Sequence, residues 1–192
     1  MTATQPVKPR PPLWAKLSIA SGNLIQTAGL AAGAVLLGLA AAMTGPGPVR
    51  LAVALAGFLV IYDCSHAIGH YLAGRAVGIR FRFYGIRGTD HPEDYPPGLR
   101  QLMQIAPFWS VITDKASMRA TAPWRKASMF AAGETATAVC SLAAAAVLAA
   151  AQVPGGTALL YFTIVWNAVS TVVTAIKPKG DYAKAIRALR SH

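Results

Sequence analysis

Charge is what this chain has least of. Only 13% of its 192 residues are Asp, Glu, Lys or Arg, where a soluble domain usually carries about a quarter. The shortage is uneven: long stretches hold almost no charge and the remainder holds nearly all of it. That contrast excludes a conventional soluble core and indicates bilayer spans separated by polar segments. Cysteine is scarce as well. Cys64 and Cys140 both fall in apolar stretches and read as two small buried thiols, not as a disulfide framework. No internal repeat or broken helix is visible, which counts against a transporter. The polar segments are too short and loop-rich for a separate soluble sensing domain.

What is present is apolar: 54% of the chain is hydrophobic. Four stretches approach or exceed the roughly 20 residues that a helix needs to cross the hydrocarbon core. They run from about Leu24 to Met43, Val49 to Leu72, Ala127 to Ala151 and Ala158 to Ile176. A backbone in lipid must satisfy its own hydrogen bonds, so these runs are helices. Their Ala and Gly content suits close packing between helices. The expected fold is an all-α membrane protein of about four transmembrane helices, with a short β-hairpin or loop-rich segment between the second and third.

The basic residues give an orientation. Of the 18, Lys8, Arg10 and Lys16 precede the first span, nine lie between Arg75 and Lys126, and five follow the fourth span; only Arg50 falls in the other connections. Basic residues stay on the cytoplasmic side, so both termini are expected there, in the plasma membrane of a prokaryote. The net charge of +11 thus tracks topology and does not indicate a nucleic-acid partner. Residues 1–20 read as a disordered basic tail without a cleavable signal peptide, although the first span could act as an uncleaved signal anchor. Residues 21–192 read as one transmembrane domain with a cytoplasmic loop, 75–126.

Within that loop, Ile79–Tyr84 alternates apolar and basic residues, the period of a strand with one buried face. Leu99–Ile112 could form an interfacial helix. Asp90, His91, Glu93 and Asp94 read as a solvated loop more readily than as a metal site. Tyr84, Tyr95 and Trp109 read as interface anchors.

Two of the seven acids, Asp63 and Glu134, lie inside spans, as do His66 and His70. Ionisable groups in lipid are costly and mark functional sites by default. At about 100° per residue, Asp63, His66, Ala67 and His70 share one helical face. Two histidines at i and i+4 can each present a nitrogen to one metal ion. The bland alternative is a polar cluster that ties helices together by hydrogen bonds.

The run His66-Ala67-Ile68-Gly69-His70, followed by Gly74-Arg75 and Gly78-Ile79, resembles the zinc-binding helix of the site-2 protease family of intramembrane metalloproteases. Ala132-Gly133-Glu134 through Thr137 resembles the start of that family's next core helix. Pro178-Lys179-Gly180-Asp181 resembles the segment that supplies its third ligand. The resemblance spans Asp63 to about Leu189. It implies zinc on His66, His70 and Asp181, and cleavage of a transmembrane peptide substrate by metal-activated water with the motif Glu as general base.

Ala67 occupies the position of that Glu, Glu134 replaces a Pro and Thr137 an Asn, while Asn167 lies too far before Asp181 for the family's spacing. Three explanations of Ala67 stand open. It is an engineered inactivating change, a natural replacement in a non-proteolytic relative, or a sign that Asp63 or Glu134 serves as base. Asp63 or Glu134 could also complete the metal site. Equally, Asp63 could orient a histidine from behind, Glu134 could be hydrated at a span end, and Asp181 could balance the basic C-terminal segment. The functional expectations are therefore a membrane zinc protease, an inactive relative that binds a partner helix, and an ion or proton carrier.

Overall fold

A computed structural model describes residues 12–89, 92–94 and 96–190. The expectations for Lys8, Arg10, Asp90, His91 and Tyr95, and for the side chain of Asp94, lie outside the described residues. In chain order the elements are β1 (Ala15–Leu17), α1 (Ile19–Ala42), α2 (Gly47–Ala76), β2 (Phe81–Arg87), a 3₁₀ turn (Pro92–Asp94), α3 (Leu99–Ile105), β3 (Phe108–Thr113), α4 (Lys115–Ala120), α5 (Pro123–Ala150), α6 (Gly156–Ile176) and α7 (Asp181–Arg190).

Four helices, α1, α2, α5 and α6, are long and apolar enough to cross a membrane. The fold is that of an all-α multi-pass protein carrying one small sheet. Each helix overruns its apolar stretch for a physical reason. The 30 residues of α2 span about 45 Å at about 1.5 Å per residue, against about 30 Å of hydrocarbon. The surplus turns reach the headgroup layer.

Local signals set the helix ends. Ser18 accepts from the Ser21 N–H (3.0 Å) and caps α1. Proline stands in the first turn of α2 and of α5, where its missing N–H costs nothing. Arg50, the one basic residue at the opposite end of the bundle, donates from Nε to the Ala40 carbonyl (3.2 Å). It meets a carbonyl that the end of α1 leaves without a helical partner.

Helix α2 is the central element, 44% buried along its apolar window, while α6 is peripheral at 11%. Phe58, Ile61, Leu37, Ala145 and Leu148 anchor the core between α1, α2 and α5. Glycine permits the α1–α2 approach: a Cβ on Gly33 would stand 2.9 Å from the Gly57 carbonyl oxygen, and one on Gly57 equally close to that of Gly33. Gln26 on α1 is fully buried, and neither its amide nitrogen nor its oxygen has a hydrogen-bond partner among the described residues. An unsatisfied buried amide costs about 1–3 kcal/mol, and Leu fills a similar volume without it. Gln26→Leu should therefore raise the thermal unfolding midpoint in detergent; a lower midpoint would show that the amide has an unseen partner.

The three strands form an antiparallel sheet in the order β1-β2-β3. The loop expected to be hairpin-like is therefore a β2–β3 pair, with the 3₁₀ turn and α3 between the strands. Three expectations are corrected. Residues 15–20 are not tail: Ala15–Leu17 pairs with Tyr84–Ile86, and α1 begins at Ile19. Within the stretch read as one interfacial helix, only Leu99–Ile105 is helical, and Phe108–Thr113 is strand. Its aromatic and β-branched residues favour the pleated surface. Tyr84 is likewise no interface anchor. It is fully buried, lies against Gly22 of α1, and donates from its hydroxyl to Asn23 Oδ1 (2.8 Å). Burial pushes its phenol pKa up, so it remains a neutral donor that fastens the sheet to the bundle.

Candidate metal centre

Two elements bring three ligand atoms together. His66 and His70 lie one turn apart on α2, and Asp181 opens α7. The His70 Nε2 is 3.3 Å from His66 Nε2 and 3.1 Å from Asp181 Oδ2, and His66 Nε2 is 3.3 Å from the same oxygen. This is the one group of three or more such ligand residues with converging atoms among the described residues. The triangle fits a tetrahedral ion. Zinc–nitrogen bonds of about 2.0–2.1 Å at tetrahedral angles put neighbouring ligand atoms about 3.3 Å apart.

The outer partners fix the tautomers. His70 Nδ1 lies 2.7 Å from the Met129 carbonyl oxygen, which can only accept, so Nδ1 carries the proton. His66 Nδ1 lies 3.2 Å from Thr137 Oγ1, whose own proton goes to the Gly133 carbonyl (3.1 Å). The hydroxyl must therefore accept from His66 Nδ1–H. In neutral rings both Nε2 lone pairs then point at each other and at a carboxylate oxygen. That arrangement repels unless a cation, metal or proton, lies among the three atoms. A ring N–H donated to carbonyl or hydroxyl behind the ligand nitrogen is the usual support of a metal-bound histidine.

Sequence details place each ligand. Gly133 makes room for His70: a Cβ there would meet the imidazole at 2.2 Å. At the other side, a Cβ on Gly180 would stand 2.1 Å from the Thr174 carbonyl oxygen, so glycine lets the chain turn tightly from α6 into α7. Asp181 gives its second oxygen to Lys184 Nζ (2.8 Å). Burial alone would raise the Asp181 pKa. With a cation or proton among the three atoms, the contacts with His66 and His70 and the charge of Lys184 outweigh burial and hold it well below the usual carboxylate range.

The other candidates are dispersed. Ala67 is fully buried. Asp63 is exposed one turn before His66 and lines a cavity with Trp109; Asp181, not Asp63, completes the triangle. Asn167 donates to Ser141 Oγ (3.1 Å) and ties α6 to α5. Glu134 is half-buried and accepts from Ser170 Oγ at 3.4 Å. Cys64 and Cys140 are free thiols.

Beside the centre lies a cavity of about 480 Å³, walled by Tyr62, Phe108, Trp109 and Trp166, with Asp63, His66 and Glu134 on its lining. A more polar cavity of about 320 Å³ adjoins it and reaches Asp181 and Lys184. His66 and Glu134 line both, so they stand where the apolar and polar spaces meet. Trp109 is thus a cavity wall, whereas the sequence reads as an interface anchor there. The Met129 carbonyl and Lys184 are supports that do not stand out in the sequence. The signal for Lys184 was the i,i+3 spacing from Asp181; a backbone carbonyl leaves none. Comparison with family models, with curated proteins and with solved structures finds no match.

Proposed function

We propose that this chain is a site-2-protease-like membrane metalloprotein that holds zinc on His66, His70 and Asp181 and hydrolyses peptide bonds of a membrane-embedded segment. The observation that carries the reading is the convergence of three ligand atoms at 3.1–3.3 Å on the lining of a largely apolar cavity. Zinc bound there would polarise a carbonyl and acidify a water. The chain's own residues supply the rest. The aromatic walls receive an apolar peptide, and the polar space beside Asp181 admits water.

Glu134 is the acid placed to serve as base, since it lines both spaces with His66. Ser170 steadies one of its oxygens; the other takes a proton from water as the water oxygen bonds to the carbonyl carbon. The C–N bond then breaks and Glu134 returns the proton to the amine nitrogen, leaving a carboxylic acid and an amine. The basic residues before α1, between α2 and α5 and after α6 support a cytoplasmic site and cytoplasmic termini in a prokaryotic plasma membrane.

A second reading keeps the metal and drops the reaction. The fully buried Ala67, where the resembling family has its base, favours an inactive relative that binds a partner helix. The test is cleavage of a single-span peptide in liposomes. The protease reading expects cleavage that a chelator stops, that zinc restores and that His70→Ala lacks. Cleavage only after Ala67→Glu supports the inactive relative, and cleavage by neither form removes the hydrolase.

A further inference from the structure

Away from the metal centre, a cavity of about 430 Å³ lies between the end of α2, α4 and the start of α5. Arg80 and Arg125 line it with Ser117, Thr121, Gly78 and a single acid, Asp114. We propose that it binds a phosphate group, supplied in the membrane by the headgroup of an anionic phospholipid.

The cradle is built by backbone locks. The Arg80 N–H donates to Ser117 Oγ (2.9 Å), and the Asp114 N–H donates to the Arg80 carbonyl (2.8 Å). Asp114 is itself engaged: its Oδ1 accepts the Ser117 N–H at 2.8 Å, capping α4. Having accepted from Arg80, the Ser117 hydroxyl keeps its own proton to give. Arg125 is steadied over the Trp124 ring at 5.2 Å. Neither Arg80 nor Arg125 forms an ion pair with a carboxylate among the described residues. Two arginines and a hydroxyl donor on the lining of one space supply the donor types of a phosphodiester site, which arginine binds in bidentate fashion.

The position selects the source. The cavity joins the last residues of α2 to the first of α5, and the 30 and 28 residues of these helices exceed the hydrocarbon thickness. Their ends lie at headgroup depth. Trp124, 55% exposed beside the cavity, is the residue type that settles at that level. Basic pockets between spans at that level take anionic headgroups.

The test uses the full chain in detergent micelles and native mass spectrometry. Phosphatidylglycerol, phosphatidylcholine and inorganic phosphate are titrated separately. The parent should retain phosphatidylglycerol over phosphatidylcholine, with a preference that weakens as salt rises. Arg80→Gln with Arg125→Gln should lower that preference roughly thirtyfold, the worth of two basic residues at a headgroup. Lys115→Gln with Arg119→Gln removes equal charge from α4 outside the cavity and should change it little. Equal retention of the two lipids by the parent, a preference indifferent to salt, or equal loss in both double variants overturns the proposal. Displacement of the lipid by inorganic phosphate at matched concentration overturns the lipid assignment in favour of free phosphate. Arg80→Lys with Arg125→Lys, which keeps charge and removes the forks, should fall between parent and Gln variant.

Discussion

Gly133→Ala is expected to abolish metal binding at the proposed centre while leaving the bundle folded. The added Cβ would stand 2.2 Å from His70 Nε2 and 2.5 Å from two ring carbons. No neighbouring atoms can yield cheaply, because the ring is held from behind by the Met129 carbonyl at 2.7 Å. His70 must leave its place, and a ligand leaves with it. Changes that only disturb a ligand's outer support cost about 10- to 100-fold in metal affinity, so displacing the ligand itself should cost at least about 100-fold. Gly38→Ala is the matched control, since nothing lies within 4 Å of a Cβ there. Metal titration of both variants, with helical circular dichroism to show folding, reads the difference. Retention of parent-like affinity by folded Gly133→Ala would mean that His70 is not a ligand.

On the proposed protease reading, Glu134→Gln is expected to keep the metal and lose the reaction. Glutamine preserves the shape and can still accept from Ser170, but it cannot take a proton from water. Loss of a general base lowers rates by about 10²- to 10⁴-fold. The substitution leaves His66, His70 and Asp181 untouched, so metal content should stay at the parent level while cleavage of the model peptide falls into that range. Asp63→Asn is the informative companion. Asp63 lines the apolar cavity but not the polar space beside Asp181, and its loss should leave most of the rate. If Asp63→Asn abolished cleavage and Glu134→Gln did not, the roles assigned here would be exchanged.

Much of the architecture was legible because the bilayer is a demanding solvent. Four uninterrupted apolar runs have no other stable form in it, and α1, α2, α5 and α6 cover them. The i, i+4 pair His66 and His70 was legible for a related reason: a helix fixes which residues share a face. Asp181 was legible only through the resemblance, because by position Asp63 and Glu134 offered equally good acids on helices already expected. Choosing Asp181 depends on the turn at Gly180 that folds α7 back beneath the bundle, a long-range event without a local period. Tyr84 was misread because its surroundings come from α1, far away in sequence, through Gly22 and Asn23. β1 was missed because three residues of strand carry almost no pattern of their own; pairing with β2 creates them.

Metal content of the purified chain bears most directly on the central claim. It is to be measured by elemental analysis beside His70→Ala, under conditions where both are helical. A built three-ligand centre predicts about one zinc per chain in the parent and little in the variant. A parent without zinc or any other transition metal, or a variant that holds as much, would contradict it. The cluster of His66, His70 and Asp181 would then be a protonated ion pair that joins α2 to α7.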